Sequence, residues 1–294
     1  MDVERHQLEA ADGRRLLAEV AGPAGGEVVF AHTGTPEAGT VYAPKVAAGT
    51  ERGLRHVSYA RPGYAGSERQ PGRAVADCAA DVAAIAEQLG LERFYVVGQS
   101  GGGPHALACA ALLPSRVRSA ATLGGVAPRN AAGLDWLAGM GEENLQEFAA
   151  AEAGEAELRA FLEHDAAAFA AVDAAQVREM LGDLVGDADK AVVTGEYAEH
   201  LAADFRAALA SGIWGWLDDD LAFFADWGFE LGSISVPVTI WQGDEDRMVP
   251  FAHGQWLAEH VAGASARLLP GEGHLSIEVS RYGEVLDDLL ARGG

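Results

Sequence analysis

Hydrophobic and polar positions along this chain fall into short apolar runs of strand character that alternate with longer stretches of helical spacing. Near the start, Glu9-Ala10-Ala11-Asp12-Gly13-Arg14-Arg15-Leu16 reads as a hairpin with Asp12-Gly13 as a two-residue turn, because that dipeptide tolerates the positive φ such turns need. Glu27-Val28-Val29-Phe30-Ala31-His32 is a buried-strand pattern that runs into the turn-rich Thr33-Gly34-Thr35-Pro36. The periodicity then predicts a helix over 42–51, a strand over 54–60, a helix over 75–89, a strand over 93–97, a helix over 105–113 and a strand over 117–123. After a gap, a strand begins at Val236, followed by a helix over 250–261, a strand over 266–269 and a helix over 277–291. This order implies an α/β fold, a mostly parallel, doubly wound sheet with helices on both faces.

The gap changes the picture. Residues 129–232 are alanine-rich, acid-rich and helical in pattern, and they hold 22 of the 44 acidic but only 5 of the 21 basic residues. That segment carries a net −17 of the chain's −23. The break predicts a core formed by 1–128 with 233–294, and a separate helical unit at 129–232. With 294 residues, 49% hydrophobic residues and a mean hydropathy of +0.03, the chain can bury a sizeable core.

The charge excludes nucleic acid and anionic membrane surfaces as natural partners, since both select basic patches. No basic start followed by an apolar run opens the chain, and no apolar run is long enough to span a bilayer. A cytoplasmic location is the expectation. Cys78 and Cys109 are the only cysteines, both in alanine-rich helical patterns, and read as buried structural thiols, not as a disulfide or metal ligands. No metal and no other cofactor is implied. The expected partner is a small-molecule substrate, and the oligomeric state is left open.

The candidate chemistry begins at Gly98-Gln99-Ser100-Gly101-Gly102, placed between a predicted strand and a predicted helix. G-x-S-x-G in that setting is a nucleophile elbow, in which glycines permit a tight turn that lifts the serine clear of the sheet. A nucleophilic serine needs a histidine base, and the histidine needs a carboxylate to orient it and stabilise its cation. In this topology the order along the chain is serine, acid, histidine. The late strands end in Gly243-Asp244-Glu245-Asp246-Arg247-Met248-Val249-Pro250 and Pro270-Gly271-Glu272-Gly273-His274-Leu275. His274 is the one histidine of nine in a Gly-flanked loop just past a late strand. His253 and His260 fall on the helix after Pro250, His105 is placed beneath the elbow, and His164 and His200 are placed on the surface of the acidic segment. Asp244, Glu245 and Asp246 share one loop, and composition does not choose among them.

Together, Gly98–Gly102, Gly243-x-x-Asp246-x-x-Val249-Pro250 and Gly271-x-Gly273-His274 resemble the α/β-hydrolase family, in its esterase and proline iminopeptidase branch. The resemblance implies that Asp246 is the acid of a Ser100–Asp246–His274 triad, and that 129–232 is the family's helical cap, inserted after the sixth strand. The oxyanion donors are the N–H of Gly101, which follows the nucleophile, and the N–H of Thr35. His32-Thr33-Gly34-Thr35-Pro36 is similar to the family's H-G-x-P, but Thr33 replaces the histidine before the glycine, which puts the hydrogen bonding that holds this loop in question. Arg61-Pro62-Gly63-Tyr64-Ala65-Gly66-Ser67 resembles D-R-P-G-Y-G-x-S, with Ala60 for the aspartate and Ala65 for a glycine, and is expected to be structural.

Within 129–232, Trp136, Trp214, Trp216, Trp227, Phe223, Phe224 and Phe229 either seal the helices onto the core or line an apolar pocket, with Trp136, Trp214 and Trp216 as the pocket candidates. Most of its carboxylates are expected to be solvated, and its field disfavours polyanionic substrates. The resulting expectation is a cofactor-independent serine hydrolase acting on a small or mid-sized ester, lactone or related carbonyl compound. The alternatives are a C–C or peptide-bond hydrolase with the same triad, and a non-catalytic small-molecule binder.

Overall fold

A computed structural model describes residues 2–294, and in it the strands form one sheet in the order β1-β2-β4-β3-β5-β6-β7-β8. The first hairpin pairs β1 (Val3–Glu9) with β2 (Arg15–Ala21), and β2 runs antiparallel to β4 (Leu54–Tyr59). The remaining pairings, through β3 (Glu27–His32), β5 (Phe94–Gln99), β6 (Val117–Leu123), β7 (Val238–Gly243) and β8 (Ser265–Leu269), are parallel. The hairpin departs from expectation in its turn. Glu9 pairs with Arg15, so five residues connect the strands; the Ala10 amide donates to Arg14 O and Gly13 takes the positive φ.

The period of two along each central strand sends alternate side chains to opposite faces. Val28, Phe30, Phe94, Val96, Ala120 and Ile240 join one core with α2 (Cys78–Gln88), α3 (Gly102–Leu112) and α10 (Phe251–His260). Their neighbours Val29, Tyr95, Val97, Ala121 and Trp241 join a second core with α12 (Tyr282–Gly293) on the other face, flanked by α1 (Ala43–Thr50). Helices on both faces are what a sheet apolar on both sides requires. Both thiols, Cys78 and Cys109, are free and buried in the first core.

Between β6 and β7 the chain forms α4 (Glu142–Ala153), α5 (Glu155–Ala171), α6 (Val177–Met180), α7 (Asp187–Val192), α8 (Gly195–Ala208) and α9 (Trp214–Phe224). Their apolar faces make two further clusters. In one, Leu158, Leu162, Ile213, Trp216 and Leu217 pack on Ala38, Ala60 and Tyr64 of the sheet's upper loops. In the other, Val177, Val185, Leu201 and Phe205 pack on Leu275. At the C-terminus the expected single helix is two, α11 (His274–Ser280) and α12, with the break at Arg281. Ala65, in the position of the resembled glycine, holds a left-handed φ of 47°.

Candidate active site

The turn that carries Ser100 explains its flanking glycines. Ser100 sits at φ 51°, a left-handed conformation that costs a non-glycine residue energy and persists only where its surroundings enforce it. The Ser100 amide donates to Leu123 O at 2.9 Å, and the Gly103 amide donates to Ser100 O at 2.9 Å. A Cβ on Gly98 would collide with the Gly102 carbonyl, and one on Gly102 with the His32 carbonyl. The helix after the turn starts at Gly102, earlier than the apolar run alone predicts.

Asp246 and His274 meet at the ends of β7 and β8. Asp246 Oδ2 lies 2.8 Å from His274 Nδ1 and accepts from Gln242 Nε2 at 2.9 Å, while Oδ1 accepts from the amides of Met248 and Val249 at 2.9 and 2.8 Å. Asp244 and Glu245 are exposed, so of the three acids in this loop only Asp246 reaches the histidine. Burial works against the His274 cation, but the Asp246 carboxylate outweighs it and raises the imidazole above its ordinary value. Such a pair can take up a proton and hold it.

His274 is not in the expected loop. It is the first residue of α11, and the amides of His274, Leu275 and Ser276 donate to the Asp189 carboxylate at 3.1, 2.8 and 2.8 Å. Asp189 comes from α7, so an acid of the inserted segment caps the helix that presents the histidine. Ser100 and His274 line one cavity, although no hydrogen bond joins their side chains among the described residues.

The other predicted residues gather at the same place. Thr35 and Gly101 both line the cavity, and a Cβ on Gly101 would strike Thr35 Oγ1. The loop 33–36 is held without the missing histidine. The Arg61 guanidinium donates to Thr33 O (2.6 Å), Gly34 O (2.7 Å) and Thr35 Oγ1 (3.0 Å), and pairs with Asp219 Oδ2 at 2.7 Å. Asp219, on α9, also accepts from Thr35 Oγ1 and Tyr64 OH at 2.9 Å each and pairs with Arg73 at 2.7 Å. Arg61 and Asp219 are 2% and 0% exposed, so neither charge could be buried alone. Burial would raise the Asp219 carboxyl, yet Arg61 and Arg73 hold it far below the usual carboxylate range. The motif around Arg61 therefore has a structural role, and its partner was not visible in the sequence.

The cavity has about 100 Å³ of free space, with an apolar wall that includes Phe148, Phe169, Phe205, Trp216 and Phe223. Of the three tryptophan candidates only Trp216 lines it. Trp136 is buried elsewhere, with its Nε1 donating to Ala127 O at 2.7 Å, and Trp214 is drawn to Arg69 and Arg159, whose guanidiniums lie 4.4 and 5.2 Å from its ring. The remaining histidines stay outside the site: His105 bonds Gly101 O from below, His253 bonds the Ala127 amide and Trp136 O, and His164 is exposed. His200, expected on the surface, is half-buried and stacked on Tyr42.

The cavity wall also holds Glu37, Glu147 and Asp220, and among the described residues no lysine or arginine lines it. Trp216 Nε1 donates to Glu147 Oε1 at 2.6 Å. Burial and then the Glu147 carboxyl push Asp220 well toward its neutral form, while Glu147 is raised by burial against the opposing hydrogen bonds of Asp220 and Trp216. Five aspartates of the inserted segment, Asp189, Asp204, Asp218, Asp219 and Asp220, are buried rather than solvated.

Replacing Asp219 by alanine leaves Arg61 and Arg73 buried without their counter-charge, and is expected to cost about 3–5 kcal/mol in denaturant unfolding. A loss below 1 kcal/mol would contradict the role given to the pair.

A Variovorax paradoxus (strain S110) protein named as a carbamate hydrolase, RutD, is 28% identical over 290 residues, which cover 94% of this chain and 96% of that protein. The fold superposes on an esterase from Thermogutta terrifontis with a TM-score of 0.70 at 18% identity, over 99% of each chain. It also superposes on the enol-lactonase from Burkholderia xenovorans LB400, with a TM-score of 0.66 at 19% identity, over 98% of this chain and 100% of that one. At those identities the likeness is one of fold. The sequence pattern described as alpha/beta hydrolase fold matches residues 27–280, and the chain therefore belongs to the α/β-hydrolase fold family and is, by fold and family, a hydrolase.

Proposed function

We propose that this hydrolase cleaves a small or mid-sized uncharged ester, lactone or carbamate-like carbonyl compound through an acyl-enzyme on Ser100. The observation that carries the reading is the buried Asp246–His274 pair, opening onto the cavity that Ser100 shares from its strained turn. Ser100 Oγ attacks the carbonyl carbon as His274 Nε2 takes its proton, and the C=O electron pair moves onto the oxygen. The Gly101 and Thr35 N–H groups are the donors for that oxyanion, each such donor contributing ~3 kcal/mol to lowering the barrier. Collapse of the tetrahedral species expels the leaving group, which takes the proton from His274. Water then attacks the acyl carbon, His274 takes and returns a proton once more, and Ser100 is released.

In this reading the helices over 129–232 act as a cap that closes the cavity and sets substrate size through Trp216, Phe148 and Phe223. The enzyme works as a soluble cytoplasmic hydrolase without a cofactor. The name of the RutD relative supports a carbonyl bonded to oxygen or nitrogen as the scissile group. A second reading, a peptide-bond hydrolase of the iminopeptidase kind, is favoured by one observation: the Glu147–Asp220 pair in a wall without cations suits a substrate ammonium. A panel of neutral esters, lactones, carbamates and amino-acid amides separates the two.

Replacing Ser100 by alanine should remove fluorophosphonate labelling and lower kcat on a neutral ester by roughly 10⁴- to 10⁶-fold. Retained labelling or activity would remove the acyl-enzyme from consideration. Because His274 must be neutral to accept the proton, kcat/KM should fall on the acid side. Its midpoint should lie above the ordinary histidine value of 6.5, since Asp246 raises the imidazole. A midpoint below 6.5 would contradict that pairing. The absence of a cation from the wall predicts at least a tenfold preference, about 1.4 kcal/mol, for a neutral butyrate ester over a succinate monoester. Equal kcat/KM values would sink the uncharged-substrate claim.

A further inference from the structure

Beside the nucleophile stands a carboxyl group that the mechanism above does not use. Glu37 directly follows Thr35-Pro36 and lines the cavity with Ser100, Gly101, Thr35 and His274. One of its oxygens and Ser100 Cβ both flank Gly34: a Cβ there would lie 2.8 Å from Glu37 Oε1 and 3.4 Å from Ser100 Cβ. No hydrogen bond holds the Glu37 carboxyl among the described residues, while every charged neighbour is already engaged. From α1, Lys45 is bonded to Glu278. From α11, Glu278 also accepts from Tyr197 OH at 3.2 Å. From α8, Asp204 accepts from the amides of Ala38 (2.7 Å) and Thr40 (3.1 Å) and from the Thr40 hydroxyl. Behind the 33–36 loop, Arg61 is paired with Asp219. His274 faces the same cavity with its partner Asp246.

The cation nearest in kind, Lys45, is neutralised by Glu278, so a carboxylate at 37 would be an uncompensated charge in an apolar cavity, and burial followed by Asp204 and Glu278 pushes its titration up to about 8. A carboxylate there would also oppose the negative charge that develops on the substrate oxygen beside Thr35, whereas a carboxylic acid offers an O–H donor on the same side. Resting on the acyl-enzyme reading, we propose that Glu37 works as a neutral carboxylic acid that donates a hydrogen bond to an oxygen of the bound acyl group, and that its ionisation switches that group from donor to repeller. The substrates it fits carry an acceptor oxygen at or next to the scissile carbonyl.

The sign of the pH effect separates this role from a structural one. The acid is the working form, so it is present below about pH 8 and is lost above it. Glu37→Gln keeps an N–H donor and cannot ionise. The ratio of E37Q to wild-type kcat/KM on a neutral ester should therefore rise about tenfold between pH 7 and 9, and the His274 dependence, common to both proteins, cancels in that ratio. Glu37→Ala, which lacks both donor and charge, should start lower at pH 7 and show the same rise. It serves as the reading if the glutamine variant does not fold. Ratios that stay flat across this range for both variants would overturn the proposal. Fluorophosphonate labelling of wild-type Ser100 is run alongside: labelling with flat ratios defeats the Glu37 inference alone, whereas no labelling defeats the acyl-enzyme reading beneath it.

Discussion

The buried pairing of Arg61 with Asp219 is the constraint on which the rest of the site depends. Arg61 belongs to the loop after β4, Asp219 to a helix inserted more than a hundred residues later, and between them they fasten the backbone carbonyls of Thr33 and Gly34 and the Thr35 hydroxyl. Removing either charge from water alone would cost several kcal/mol, so the two must arrive together. The loop that carries the proposed oxyanion donor and the helix that walls the cavity are therefore held to one another by the same buried pair. This also accounts for Thr33. The histidine of the resembled motif is dispensable here because the guanidinium ties the loop from the other side.

The same device recurs twice. Asp204 of α8 fixes the backbone at Ala38 and Thr40, next to Glu37, and Asp189 of α7 receives the first amides of α11, which begins with His274. Three aspartates of the inserted segment thus each hold one loop of the sheet's upper edge. A segment with −17 net charge is, at these points, a scaffold for the site as much as a cover over it. Most of its other acids, such as Glu142, Glu155 and Glu163, are exposed on helix faces as a solvated surface requires.

The sheet, the serine turn and the placing of an acid and a histidine past the late strands were legible because each leaves a local mark: apolar runs of strand length, glycines where backbones must touch, and polar loops after β7 and β8. The choice of Asp246 among three neighbouring acids came only with the family resemblance. The buried aspartates leave no such mark, since an acid in an acid-rich helix looks solvated until its partner is known. Asp219 carried a usable hint, because Asp218, Asp219 and Asp220 sit between Trp216-Leu217 and Leu221 on a helix too apolar to face water. The placement of Trp136 and Trp214 away from the cavity was not legible either. An aromatic seals or lines according to which neighbour its helix meets, and for Trp214 that neighbour is a pair of guanidiniums. His274 opens a helix instead of lying in a loop because the amides at that start are taken by Asp189, a residue 85 positions earlier.

The central claim is that Ser100 carries the acyl group during turnover, and the most direct measurement is peptide mass spectrometry on protein acid-quenched within the first turnovers of a slow neutral ester. The account predicts that the peptide containing Ser100 gains the mass of the acyl group, and that the Ser100→Ala protein shows no adduct there. Product released at the steady rate with Ser100 unmodified at every time point, and an adduct on another residue, would contradict it.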